Sequence, residues 1–124
     1  MKKPIIYHAD DDEGMRFIVK HTFDKLIPEF RPFQFKSGED LEKRFLHDLK
    51  QGTLPTGIIV DHLMQPGITG LDFIKNYSNH LPIIMASSSE IRDEALKHGA
   101  AAYISKPFDV YDFSSLVKDT FGKR

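Results

Sequence analysis

Three aspartates stand in a row, Asp10, Asp11 and Asp12, directly behind the apolar run Ile5-Ile6-Tyr7. Further along, Asp61 closes "GIIVD", Ser87 to Ser89 close "PIIMASSS", and Lys106-Pro107 follows "AAYIS". Taken alone, the aspartate triplet is either a solvated turn with a helix cap or a set of like charges neutralised by something cationic. Magnesium wants oxygen ligands in octahedral geometry and is commonly held by one or two carboxylates plus water and phosphate oxygens. Asp10, Asp11 and Asp61 would offset one another's repulsion only with such a cation present. Lys106 would offer a fixed positive charge to a phosphoryl oxygen, and the Ser87 hydroxyl a hydrogen bond to another. Asp61 could then serve as a nucleophile and form an aspartyl phosphate. Phosphoryl transfer needs positioning and charge neutralisation more than covalent assistance.

These residues meet only if the chain folds so that strand ends share one rim. Apolar runs alternate with helix-period segments. The first run is Pro4 to Ala9, followed by Met15, Ile18, Val19, Thr22, Phe23 and Leu26 at helical spacing. Arg31 to Lys36 alternates apolar and polar, which predicts a half-exposed edge strand. Ser37 reads as a helix cap with Asp40 in the third position, and Leu41, Phe45 and Leu49 form the helix face that follows, ended by Gly52 and Pro55. Residues 57–61 and 82–87 are continuously apolar, as in strands covered on both faces. Leu71, Phe73, Ile74 and Tyr77 mark a third helix. A fourth runs from about Glu90 to His98 and stops at Gly99, with Ser88 or Ser89 as its cap and Glu90 in support. Residues 101–105 form the fifth strand, and Asp109 caps a last helix bearing Phe113, Leu116, Val117 and Phe121. Five strands alternating with five helices predict an α/β fold, a parallel sheet with helices on both faces. In such sheets the site forms beyond the carboxyl ends of the strands.

Composition narrows the class. At 124 residues, 40% apolar and 28% charged, the chain reads as one globular domain, residues 1–124, with no linker or repeat and no output domain. A chain this long buries roughly 65% of its unfolded surface. The net charge of -1 gives no electrostatic reason to expect nucleic acid or an anionic membrane as partner. There is no cysteine, hence no disulfide framework and no thiolate chemistry. Without a signal peptide or a long apolar stretch, a cytoplasmic protein is expected.

The pattern resembles the receiver domain of two-component response regulators over essentially the whole chain. The resemblance rests on Asp10-Asp11, Asp61, the "MQPGITG" behind it, Ser87 and "YISKPF" at 103–108. It implies a flavodoxin-like sheet of order 2-1-3-4-5, the order for which a receiver protein is itself a standard example. It implies that Asp61 accepts a phosphoryl group from a phosphohistidine on a sensor histidine kinase or a histidine phosphotransfer protein. Asp11, Asp61 and the backbone carbonyl of Leu63 would bind Mg2+, with Asp10 acting through water, and Ser87 and Lys106 would hold the phosphoryl oxygens. Ser87 and Tyr103 would carry the switch to a partner surface for an unidentified downstream protein, and the Lys106–Pro107 peptide would be cis. Such a protein catalyses its own modification without being a conventional enzyme. Asp12 is left over as an acid at a helix N-terminus, favourable against the dipole.

Two departures stand out. Gln65 makes the loop from Asp61 to Gly70 one residue longer than the family pattern, and Leu63 is apolar where the family often has a polar residue. Ser87 and Lys106 are 19 positions apart, a short span that predicts a reduced fourth helix. Competing readings remain. A Mg-dependent phosphatase with an aspartate nucleophile would share the chemistry, but usually carries Asp-x-Asp on strand one and a substrate cap. A pseudo-receiver that binds protein without phosphorylation is disfavoured by the complete residue set. A nucleotide site lacks Gly-x-Gly-x-x-Gly after the first strand. Of the six histidines none pairs with another for metal, and His62 is notable only as the neighbour of Asp61.

Overall fold

The structure, a computed structural model, describes residues 2–122; the expected domain limits, residues 1 and 124, lie outside them. The elements follow in strict alternation: β1 (Ile5–Ala9), α1 (Glu13–Leu26), β2 (Arg31–Phe35), α2 (Gly38–Gln51), β3 (Gly57–Val60), α3 (Gly70–Tyr77), β4 (Ile83–Ser87), α4 (Arg92–Lys97), β5 (Ala102–Ser105) and α5 (Val110–Phe121). The strands form one parallel sheet in the order β2-β1-β3-β4-β5, as expected.

The two-residue period of the strands divides the core. Ile6, Ile59, Ile84 and Ala86 face α1 and α5, where they pack with Val19, Phe23, Phe113, Val117 and Phe121. Tyr7, Ile58, Val60, Ile83 and Met85 face the other way, onto Leu41, Phe45, Phe73, Ile74 and Ala95 of α2, α3 and α4. The expected α1 stripe is wider than the core: Ile18 is 43% exposed, and neither it nor Leu26 joins the core clusters. Val19, the neighbour of Ile18, does the packing, because a helix stripe is narrower than the run of apolar residues that suggests it.

β2 is an edge strand, as the alternation indicates. Arg31 turns its N–H inward to the carbonyl of Pro4 (2.8 Å), so Pro32 and Gln34 present their backbones outward. The helix starts at Ser37 and Asp109 read as expected, and Asp12, expected as an acid favourable against the dipole, is the cap of α1 itself. Asp12 caps α1 by accepting the Met15 N–H, Ser37 caps α2 through the Asp40 N–H, and Asp109 caps α5 through the N–H groups of Tyr111 and Asp112. The fourth helix start does not read as expected. Helix α4 begins two residues later than expected, Ile91 occupies its cap position, and no side chain caps it. Neither Ser88 nor Ser89 takes that role, since both precede the cap position; the Ser89 N–H is donated to the Ser87 hydroxyl (3.1 Å). Gly99, at φ +115°, ends the six-residue helix as expected.

Candidate functional site

The carboxyl ends of β1, β3, β4 and β5 converge on one rim. Main-chain bonds knit it together: the Asp10 N–H is donated to the Phe35 carbonyl, the Asp61 N–H to Ala9, and the Lys106 N–H to Ser87, at 3.0 to 3.1 Å. Asp10, Asp11 and Asp61 each place a carboxylate oxygen within 4.8 Å of the others. Asp10 is buried, Asp61 half-buried and Asp11 exposed, so the cluster opens to solvent on the Asp11 side.

Lys106 reaches into this cluster. Its Nζ lies 2.5 Å from Asp10 Oδ2 and 3.2 Å from Asp61 Oδ2. This corrects one expectation: a mobile cation is not the only charge that offsets the carboxylates, since the lysine of the β5 end already spans two of them. The remaining Asp10 oxygen accepts the Asp12 N–H (2.9 Å), and the other Asp61 oxygen accepts the His62 N–H (2.7 Å). Burial pushes the Asp61 carboxyl above the usual carboxylate range; the Lys106 ammonium pulls it back, Asp10 adds to the rise, and the His62 amide opposes it. Three carboxylates form an oxygen-only donor set that fits a hard divalent cation.

Ser87 stands on the same rim, fully buried, with its hydroxyl accepting the Ser89 amide rather than touching Asp61 or Lys106. Tyr103 is turned inward, 6% exposed, and donates its hydroxyl to the Ser89 carbonyl; the Arg92 guanidinium lies 5.0 Å above its ring. The Leu63 side chain is half exposed at the lip.

The loop after β3 rests against α2. The peptides Gln65–Pro66 and Lys106–Pro107 are both cis, the second as the resemblance implies. The Met64 carbonyl accepts the Gly38 N–H (2.5 Å) and the Pro66 carbonyl accepts the Glu39 N–H (2.9 Å), while Ser37 takes that of Asp40. Three otherwise orphaned donors of the α2 start are thus satisfied, two of them by the loop after β3. Gly67 sits at φ +105°, where a side chain is strained.

Beneath the rim lies a polar cluster that sequence reasoning missed. His8, on β1, is buried, and burial holds its imidazole down at about 4. Its Nδ1 is 3.0 Å from Nε2 of Gln34, the residue it pairs with on β2. The same Gln34 nitrogen donates to the Arg16 carbonyl (2.8 Å), and the Arg16 guanidinium donates to the Asp10 carbonyl (2.8 Å). On the opposite face, buried Asp48 accepts from Tyr7, Arg44 and Thr53. A sequence signal existed for each. His8 interrupts a strand that is otherwise apolar, so it needs a partner. Asp48 falls on the Leu41–Phe45 stripe, where a solvated acid does not belong.

A doubly wound sheet with an acidic rim and a bridging lysine defines an α/β protein built to handle a charged group at its strand ends. The response regulator receiver domain model matches residues 6–118, and the chain belongs to that family, a module of two-component signalling. It is similar to histidine kinase P4 of Formosa agariphila, with 27% identity over 131 aligned residues. The match covers 99% of the chain but only 9% of that kinase. Among solved structures it resembles a candidate response regulator from Chloroflexus aurantiacus J-10-fl, with TM-score 0.83 and 23% identity, covering 98% of this chain and 100% of that one. It also resembles the response regulator domain of Thermotoga maritima CheB, with TM-score 0.79 and 23% identity, covering 99% of each. No helix among the described residues is long and apolar enough to cross a membrane.

Proposed function

We propose that this receiver domain accepts a phosphoryl group on Asp61 from the phosphohistidine of a sensor histidine kinase or a histidine phosphotransfer protein, in the cytoplasm and as a self-modifying switch rather than a conventional enzyme. The observation that carries the reading is Lys106 bridging Asp10 and Asp61 beside Asp11. Asp11, Asp61 and the Leu63 carbonyl would hold Mg2+, with Asp10 as the outer carboxylate. When bound, the cation supplies charge neutralisation for the phosphoryl oxygens. An Asp61 oxygen attacks phosphorus as the P–N bond to the imidazole breaks, and the leaving histidine keeps the electron pair and takes up a proton. Lys106, already 3.2 Å from Asp61, pairs with one phosphoryl oxygen. Ser87 still has its hydroxyl proton to donate, since its oxygen only accepts from Ser89. Drawing Ser87 toward that oxygen pulls on the Ser89 segment, whose carbonyl Tyr103 holds. That link is the route to a partner surface.

The test is intact mass after incubation with Mg2+ and a small acyl phosphate, beside Asp61→Asn. A single acid-stable, base-labile adduct on the wild type alone is expected. No adduct and no Mg2+ binding would overturn the reading in favour of a binding module that is not phosphorylated.

A further inference from the structure

Gln34 lies on the edge strand, outside the carboxylate cluster, and both hydrogens of its amide are committed to groups on β1 and α1. The Arg16 carbonyl is an acceptor only, so the Gln34 atom 2.8 Å away must be the nitrogen. The same nitrogen faces His8 Nδ1, which must therefore accept, leaving His8 neutral with its proton on Nε2. One amide thus ties β2 to β1 and to the first turns of α1. Arg16 extends the tie, because its guanidinium is donated to the main-chain carbonyl of Asp10. Two of the three clustered carboxylates hang from the backbone at that point, on Asp10 and its neighbour Asp11.

The alternative role for Gln34 is to satisfy a buried histidine. That accounts for one of its two donated bonds and leaves the one to Arg16 unexplained. The Arg16 guanidinium rests on the Asp10 carbonyl rather than on the exposed carboxylate of Asp11. Held there, Arg16 supports the ligand backbone without competing for the carboxylates. Released, it becomes a mobile cation beside three acids.

We propose that Gln34 is a positioning residue for divalent-cation binding, acting through Arg16 on the Asp10–Asp11 backbone. The proposal rests on the reading of Asp10, Asp11 and Asp61 as the Mg2+ site. Hydrogen-bond partners lying behind metal ligands typically contribute about 10–100-fold in metal affinity.

The test is calorimetric titration of the folded chain with Mg2+, together with the Mg2+ dependence of phosphorylation by an acyl phosphate. Gln34→Met keeps length and charge balance but removes both donors. It is expected to raise the Mg2+ concentration for half-maximal rate about 10-fold while the rate at saturating Mg2+ stays within about twofold. In an Arg16→Met background the same Gln34 substitution is expected to change Mg2+ affinity little, because the path it acts through is gone. A merely structural role predicts the opposite, equal losses in both backgrounds, and that result would overturn the proposal. So would unchanged Mg2+ affinity in a folded Gln34→Met. If that variant does not fold, Gln34→Glu, which keeps the shape but cannot donate, takes its place. Wild-type protein that binds no Mg2+ would sink the site reading itself, a separate outcome.

Discussion

Lys106 is the residue on which the charge balance of the rim depends. Its ammonium touches Asp10, which is 1% exposed, and Asp61. Removing one member of a buried pair leaves the other charge uncompensated, at a cost of roughly 3–5 kcal/mol. Lys106→Met is therefore expected to lower the thermal midpoint in Mg2+-free buffer. Added Mg2+ should then raise that midpoint more in the variant than in the wild type, because the cation takes over the lysine's neutralising role; differential scanning fluorimetry with and without Mg2+ reads both. At this scale the sequence was informative where a polar residue ends an apolar run. Asp10, Asp61, Ser87 and Lys106 were all found that way. It was silent about residues whose role depends on a neighbour distant in sequence. Gln34 reads as the polar half of an alternating strand, and only the pairing of β1 with β2 shows that it faces His8.

Among the elements, the segment from β3 to α3 does the most positioning. Thr69 caps α3, and Gly70 donates its N–H to the His62 carbonyl (2.7 Å). A Cβ at Gly70 would lie 2.1 Å from the Asp61 carbonyl oxygen, a distance only backbone movement can relieve. Gly70→Ala is expected to displace Asp61, cutting the rate of phosphorylation by an acyl phosphate at least tenfold with a loss of about 1–3 kcal/mol in urea unfolding. The element types were legible because each helix and strand carries its own period. The fourth helix start was misplaced because serines before an acid look like a cap whether or not the chain uses them so. In the structure α4 starts at Arg92, so both serines lie before its cap position, which Ile91 holds. The loop at Gln65 was expected to be one residue longer than the family pattern, but where it rests, on the α2 N-terminus, was not legible. That contact lies between elements distant in the chain.

The whole molecule is held by two apolar layers and, on one side, by a buried polar tie. Asp48 on α2 accepts from Tyr7 on β1, from Arg44 one turn back, and from Thr53 beyond the helix. Burial raises the Asp48 pKa, but the bonds from Tyr7, Thr53 and Arg44 outweigh it and leave the carboxyl below its ordinary value. Burial, and after it the bond to Asp48, push Tyr7 up to about 12. A carboxyl depressed in the fold stabilises it above the unfolded value, about 3.9, and loses that contribution as pH falls through the folded value. Tyr7→Phe is expected to cost about 1.5–3 kcal/mol at pH 7. Its deficit relative to wild type should shrink as pH falls below about 4, read from urea midpoints at pH 7 and pH 3.

The outer row of β2 has a consequence for how copies of the molecule meet. Pro32 occupies one of the two outward positions and has no hydrogen to give, so an incoming strand would find a gap in the ladder at mid-strand. Extending the sheet from one molecule into the next is thereby discouraged at this border. A second copy that paired along this border would have to leave that main-chain position without a partner.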